Sequence, residues 1–136
     1  MGNRAIIRFQ DTSGLPEIYL HWNGGRASVQ AFLNVAKKLE IRADDYGVAR
    51  LCQIIGNFMG GNLSLGCRNS SSGFSYSEDN GIYIIKNFEI IGREGLRYEK
   101  EEENEEKTKL MTDFILDLYK KLEEGREELE KLDKYK

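Results

Sequence analysis

Cysteine, histidine and proline are scarce in this 136-residue chain, and each shortage excludes a class of protein. Two cysteines, Cys52 and Cys67, cannot supply a disulfide scaffold, and their spacing matches no zinc or redox motif. Cys52 falls in an apolar helical pattern, which favours a buried free thiol in a reducing setting. One histidine, His21, leaves no Ser-His-Asp order and no zinc helix motif. We therefore expect no enzymatic activity, no metal and no cofactor.

Long apolar runs and a strong charge of one sign are also missing. No run reaches membrane-spanning length and no secretory signal is recognisable, so we expect no membrane partner. Residues 1–98 carry 11 basic and 9 acidic side chains, whereas residues 99–136 carry 9 basic and 14 acidic ones. The first part suits a small anionic ligand, but its basic surplus is too weak for duplex nucleic acid. The shift divides the chain into a ligand-binding domain, residues 1–98, and a charged tail, residues 99–136.

Hydrophobic patterns and turn signals predict an α+β fold, a small antiparallel sheet curled around two helices. Ser28 is predicted to cap the first helix, and Asp44 and Asp45 start the second, which ends at Gly60-Gly61. The Asp79-Asn80-Gly81 sequence predicts a hairpin turn, and Asn87 a tight bend. The predicted strands are residues 3–10, 17–22, 62–66, 81–86 and 88–92, and the predicted helices are residues 28–38 and 44–59.

The tail has a heptad pattern of its own. Spacings of four and three residues alternate along a seam formed by Met111, Ile115, Leu118, Leu122, Gly125, Leu129 and Leu132. This pattern predicts a long C-terminal helix that drives self-association. The alternative is a helix packed on its own domain.

The first candidate binding cluster is the turn between the second strand and the first helix. A glycine turn at a helix start aims backbone N–H groups outward, a tryptophan offers a stacking face and an arginine a forked cation. The alternative is an ordinary strand-to-helix turn with Trp22 as a core plug. The cluster comprises Trp22, Asn23, Gly24, Gly25, Arg26, Ala27 and Ser28. A second cluster, residues 57–62, is explained equally by a plain helix stop.

The third cluster comprises Phe74, Tyr76, Asn80, Arg93 and Arg97. Aromatic rings can stack a base and an asparagine can read its edge. Two arginines four residues apart share one face of a helical turn and can grip a diphosphate. Solvated surface arginines are the alternative.

Three segments resemble the anti-Thoeris family of phage proteins: residues 2–7 (GNRAII), 19–26 (YLHWNGGR) and 46–53 (YGVARLCQ). The resemblance covers roughly residues 2–98. It implies a sponge that binds cyclic ADP-ribose isomers made by bacterial TIR-domain proteins, without cleaving them, in the host cell cytoplasm. It also implies a homo-oligomer, either a dimer or a trimer of dimers, joined by a helical stem.

The resemblance further implies where ligands bind. Arg93 and Arg97 match the family's arginine pair, Asn80 its asparagine, with Asn87 as alternative, and Phe74 or Tyr76 its aromatic. The turn at Arg26 and Ala27 resembles the part that holds cyclic oligonucleotides in some members. Two other functions remain open: an inhibitor that binds a defence protein through the acidic tail, and a small hydrolase of the same signal.

Overall fold

Five strands and three helices make up the computed structural model, which describes residues 2–10, 14–69, 79–95 and 104–132. The predicted α+β class and the long C-terminal helix are confirmed. In chain order the elements are β1 Ala5–Phe9, β2 Glu17–Leu20, α1 Arg26–Lys38, α2 Asp45–Met59, β3 Gly66–Arg68, β4 Ile82–Lys86, β5 Glu89–Glu94 and α3 Glu105–Glu130.

The sheet has the strand order β3-β2-β1-β4-β5, with β1 at its centre. Three of its pairs are antiparallel, but β1 and β4 run parallel, with Ile6 opposite Ile82. The expectation of a wholly antiparallel sheet is wrong at this pair. Parallel neighbours need a long crossover, and the segment containing α1 and α2 supplies it between β2 and β4.

The hairpin turn of β4 lies at Asn87 and Phe88, where the chain enters β5, rather than at residues 79–81. Both edges of β4 are occupied, by β1 and β5, so the Asp79-Asn80-Gly81 turn cannot pair β4 with β3, the strand directly before it. Asn87 and Phe88 have φ values of 51° and 60° and connect the paired residues Lys86 and Glu89. Two consecutive positive φ values are typical of a type I′ turn, which confirms the predicted bend at Asn87.

The helix ends follow local capping chemistry, with one exception. The Asp44 side chain accepts a hydrogen bond from the N–H of Gly47, and Gly60 ends α2 at a φ of 60°, as an ordinary helix stop. α1 begins two residues before the predicted cap, with Gly25 as its N-cap. Ser28 is instead buried, and its hydroxyl donates to the sulfur of Met111 at 3.3 Å.

α3 packs on the domain through one face of its first half, where Thr112 and Ile115 are buried, and its second half is exposed. Ile115 is only 2% exposed and belongs to the same core as α1 and α2. Beyond it, 40–49% of the surface of Tyr119, Leu122, Leu129 and Leu132 is exposed. Part of the heptad seam is therefore used within the chain, and self-association stays a prediction for the remainder. Among the described helices, α3 included, none combines the length and the apolar character that membrane crossing requires.

Two glycines of α2 are expected to respond to alanine in opposite directions. A Cβ on Gly47 would lie 1.7 Å from the carbonyl oxygen of Arg42, whereas one on Gly56 has no atom within 4 Å. Gly47→Ala should lower the free energy of unfolding by about 2 kcal/mol or more. Gly56→Ala should raise it by about 0.5–1 kcal/mol, because alanine is the better helix former. Urea unfolding followed by circular dichroism measures both, and a stable Gly47→Ala protein would contradict the close contact.

The exposed half of α3 generates a second prediction. Replacing Leu122 and Leu129 together by lysine should lower the mass measured by light scattering, because buried charge disrupts a heptad seam. Leu110→Lys is the matched control, since Leu110 is 65% exposed on the same helix but lies outside the seam. An unchanged mass in the double variant would show that the exposed seam is not the oligomer interface.

Candidate functional site

The turn between β2 and α1 is built on a close approach of two backbone segments. The N–H of Gly24 donates to the carbonyl of Asn3 at 2.8 Å, and the hydroxyl of Tyr83 donates to the carbonyl of Gly24 at 2.7 Å. A Cβ at Gly24 would lie 2.5 Å from the same Asn3 oxygen. This glycine is therefore required by packing, and Asn23 enters the turn with a φ of 58°.

The start of α1 is open to an anion. Gly25 contributes no side-chain cap, and the first turn carries no acidic residue. Since the first N–H groups of a helix lack intrahelical partners and form its positive end, negative charge is stabilised there. Arg26 and Ala27 are only partly buried at this point. Asn23 approaches the buried Ser28, with 3.4 Å between the amide nitrogen and the hydroxyl oxygen.

Trp22 is not a core plug. Its side chain is 40% exposed and packs edge-on against the ring of His21, with 5.0 Å between the ring centres. Nδ1 of His21 lies 2.9 Å from the hydroxyl of Tyr19, which gives the single histidine a structural partner. An exposed indole beside an open helix start is suited to stacking a planar base.

Asn80 and Arg93 are brought together at the same end of the sheet. The side-chain amide of Asn80 donates to Oδ1 of Asn3 at 2.6 Å and to the backbone carbonyl of Arg4 at 3.0 Å. The backbone carbonyl of Asn80 accepts a hydrogen bond from Nη2 of Arg93 at 2.7 Å. Arg93 also lies over the ring of Tyr83, 4.2 Å from its centre. Both residues therefore hold the fold together, whatever else they bind.

The predicted helical turn at Arg93 is wrong. Arg93 lies in β5, directly opposite Tyr83, because the strand pairing continues to Glu94. Arg97, Phe74 and Tyr76 lie outside the described residues.

The turn between β2 and α1 and the pair Asn80–Arg93 share two contact partners, Asn3 and Tyr83. Asn3 bonds to both Gly24 and Asn80, and Tyr83 contacts both Gly24 and Arg93. Two sequence-predicted clusters, distant along the chain, are thus joined through these shared partners at one end of the sheet, and we call their residues together the sheet-end site. It comprises Trp22, Asn23, Gly24, Gly25, Arg26, Asn80 and Arg93, assembled around Asn3 and Tyr83.

An ion pair anchors the sheet-end site. Both the backbone N–H and Nε of Arg4 donate to Oδ2 of Asp79, each at 2.9 Å. These hydrogen bonds lower the pKa of Asp79 below its usual value, and the bond from the Arg4 side chain contributes more than the bond from the Arg4 backbone. Asp79 therefore links the segment before β4 to the segment before β1.

A groove of about 430 Å³ lies between α1 and α3 and shares Arg26 with the sheet-end site. Its volume falls in the range of small-ligand pockets, about 300–1,000 Å³. Within the described part of the chain every lining residue has a polar side chain: Arg26, Gln30, Asn34, Lys38, Asn104, Glu105, Thr108, Lys109, Thr112 and Asp113. Such a lining offers hydrogen bonds to a hydroxyl-rich or charged ligand, alongside the apolar stems of the same side chains.

Sequence reasoning missed this groove. Its α1 wall is a stripe of polar residues four apart, Arg26, Gln30, Asn34 and Lys38. Side chains at this spacing share a helix face, so the stripe was visible in the sequence as a polar face. Only the docking of α3 turns it into a groove, and Asn34 marks the contact by approaching the hydroxyl of Thr112 at 3.4 Å.

Comparisons with known proteins add no assignment, since no family model, curated protein or solved structure matches this chain. Within residues 2–10, 14–69, 79–95 and 104–132, no three histidine, cysteine or carboxylate side chains are grouped to hold a metal ion. The functional argument therefore depends on the geometry of the sheet-end site and of the α1–α3 groove.

The anchor at Asp79 predicts an acid-sensitive contribution to stability. Asp79→Asn should lower the free energy of unfolding by about 1 kcal/mol at neutral pH, because a partly buried charge-assisted hydrogen bond is weakened. The pKa of Asp79 is lower in the folded state, so this contribution is present above the ordinary value of 3.8 and is lost as the pH falls through the folded value. The difference between wild type and variant should therefore shrink below that pH.

Urea unfolding at pH 7 and near pH 3 measures this difference. Asp117→Asn is the control, since its ion pair with Lys121 is well exposed and should contribute little at either pH. A stability difference for Asp79→Asn that is the same at both pH values would contradict the anchoring role of the charge.

Proposed function

We propose that this protein binds and sequesters cyclic ADP-ribose-type signalling nucleotides without cleaving them, as a phage counter-defence sponge acting in the host cell cytoplasm. The observation that carries the proposal is the convergence of the two predicted binding clusters at one end of the sheet, where both contact Asn3 and Tyr83. The family resemblance supplies the ligand class, and the sheet-end site supplies groups of the chemistry that such a ligand needs.

The groups at this surface match the parts of a nucleotide. The uncapped start of α1 and the guanidinium of Arg26 favour phosphate, and the exposed ring of Trp22 favours a base. Amide and hydroxyl groups in the adjoining groove, on Gln30, Asn34 and Thr108, can exchange hydrogen bonds with ribose hydroxyls.

Binding without cleavage is supported by the type of residue at the site. The described lining of the α1–α3 groove offers amides, hydroxyls and charges, but no histidine or cysteine to act as base or nucleophile. His21 makes its hydrogen bond to Tyr19 and packs against Trp22. A hydrolase of the same nucleotide would have to use a carboxylate such as Glu105 as its general base.

Charge supports a small ligand over a nucleic-acid duplex. The groove lining carries three cations, Arg26, Lys38 and Lys109, and two carboxylates, Glu105 and Asp113, and Lys109 and Asp113 pair with each other at 2.6 Å. Among the described lining residues, cations therefore outnumber carboxylates by one, a surplus suited to one or two phosphates. Duplex binding would need a much larger basic face.

A protein-binding inhibitor is the second candidate. The exposed apolar side chains of Tyr119, Leu122, Leu129 and Leu132 on α3 favour it, because a helix of this kind can be buried by a partner as well as by another copy of the chain.

The sponge function can be tested on intact nucleotide. The protein is incubated with lysate from cells with an activated TIR-domain protein, filtered, washed and heated. The expected result is release of a nucleotide with unchanged mass in mass spectrometry. Recovery of hydrolysed nucleotide would favour the hydrolase, and recovery of none would leave the protein-binding inhibitor as the better hypothesis.

Both arginines are expected to contribute to ligand binding. Arg97→Ala should weaken cyclic ADP-ribose binding at least about tenfold, because one charge-assisted hydrogen bond contributes about 1.5–3 kcal/mol. Arg26→Ala should weaken binding of cyclic ADP-ribose, because Arg26 lies at the start of α1, and also of a cyclic oligonucleotide, since the resemblance assigns the second ligand to the Arg26 turn. Calorimetric titration of each variant with each probe measures both effects.

Arg50→Ala is the matched control, because it removes an exposed arginine that stacks only on Tyr46, at 5.4 Å. Arg93→Ala is a less specific variant, since it also removes the contacts to Tyr83 and Asn80 and should lower the melting temperature. If Arg26→Ala and Arg97→Ala both bind both probes as wild type does, the proposed sites are wrong.

A further inference from the structure

The two cysteines, far apart in sequence, are neighbours in the structure. Sγ of Cys52 on α2 lies 4.0 Å from Sγ of Cys67 on β3. Cys67 is exposed, whereas Cys52 is partly buried against the core. The contact follows from the fold, because β3 pairs with the outer side of β2, with Cys67 opposite Ile18, and this brings the strand alongside α2.

We propose that Cys67 and Cys52 form a thiol–disulfide exchange site that reacts with low-molecular-weight disulfides such as oxidised glutathione. The Cys67 thiolate attacks one sulfur of the disulfide, the S–S bond of glutathione breaks and one glutathione thiolate leaves. The thiol of Cys52 then loses its proton and attacks Sγ of Cys67, displacing the second glutathione thiolate. Both cysteines end as one intramolecular disulfide, and one oxidised glutathione is reduced to two thiols.

Exposure assigns the two roles. Cys67 is open to a reagent from solution, and a thiol–disulfide exchange needs such access. Burial first, and then the neighbouring Cys67, raises the pKa of Cys52 to about 12. Cys52 therefore stays protonated in the reduced protein, and the part of the shift that comes from Cys67 is lost once the Cys67 sulfur is bonded to glutathione.

The geometry allows the bond to close. A disulfide needs about 2.05 Å between the sulfurs, so the pair must approach by about 2 Å. β3 is three residues long and pairs with β2 on one side only, as the outermost strand of the described sheet. The sulfurs can approach by a change in the rotamer of Cys67 together with a small shift of this edge strand. Both changes cost less free energy than a movement of residues in the core.

The consequence is a covalent link between the edge of the sheet and α2. The link closes a loop of 15 residues, and a loop of that size restricts the number of conformations open to the unfolded chain. The inference is independent of nucleotide binding, since neither cysteine contributes to the sheet-end site or to the α1–α3 groove.

The test uses the reduced full-length protein treated with oxidised glutathione. Intact-mass spectrometry should show the loss of two hydrogen atoms, and a non-reducing peptide map should join the peptides that contain Cys52 and Cys67. The oxidised protein should melt several degrees higher than the reduced protein, and dithiothreitol should reverse both changes.

Two variants separate the roles. Cys52→Ser should stop at a protein that carries one glutathione on Cys67, and Cys67→Ser should gain neither glutathione nor a disulfide at a comparable rate. Circular dichroism verifies that each variant is folded, and the wild-type mass alone decides the main claim. A wild-type protein that stays unmodified, keeps glutathione on Cys67 or forms disulfide-linked dimers would overturn the proposal.

Discussion

The fold depends on the position of the first strand, β1, at the centre of the sheet. β1 pairs antiparallel with β2 on one side and parallel with β4 on the other, and its side chains Ala5 and Ile7 are fully buried in the main core. β4 comes much later in the chain than β1, and α1 and α2 lie between them. The pairing of β1 with β4 therefore joins two segments that are far apart in sequence. Such long-range contacts carry a high loop-closure entropy, so the middle of the sheet is assembled from distant segments.

The same constraint creates the sheet-end site. Parallel strands start at the same end of a sheet, so β1 and β4 begin side by side, and the antiparallel strands β2 and β5 end there. The turn at Gly24 follows β2, Asn80 precedes β4, and Arg93 lies near the end of β5. Asn3, just before β1, bonds to the first two of these, so the central strand positions groups that are remote in sequence.

Local features of the sequence predicted the helices, the strands and the bend between β4 and β5, but not the parallel pairing of β1 with β4. α2 was predicted closely because Asp44 and Gly60 mark its ends with side-chain and backbone chemistry of their own. The start of α1 was missed because Gly25 gives no side-chain signal, while Ser28 resembles a cap but serves a contact to Met111. The parallel β1–β4 pair and the strand conformation of Arg93 depend on tertiary partners, which no local pattern contains.

Part of the candidate site was predictable because its residues carry local signals in the sequence. Glycines, an exposed tryptophan and an arginine at a helix start are local signals, and the structure brings Trp22 and Arg26 to the sheet-end site as part of one turn. The α1–α3 groove is different, because it exists only when Ile115 of α3 is buried against the domain. A ligand that contacts both walls would bind only the docked arrangement and would therefore stabilise it by mass action.

The acidic tail then adds selectivity to this groove. Residues 99–136 carry five more acidic than basic side chains, and α3 contributes Glu105 and Asp113 to the groove wall. A long polyanion laid along α1 would meet this negative helix, and repulsion between like charges would oppose its binding. The compact nucleotide that we propose as ligand would meet the groove cations Arg26 and Lys38 and the positive end of α1. The distribution of charge therefore favours a small signalling nucleotide over a nucleic-acid strand of the same chemistry.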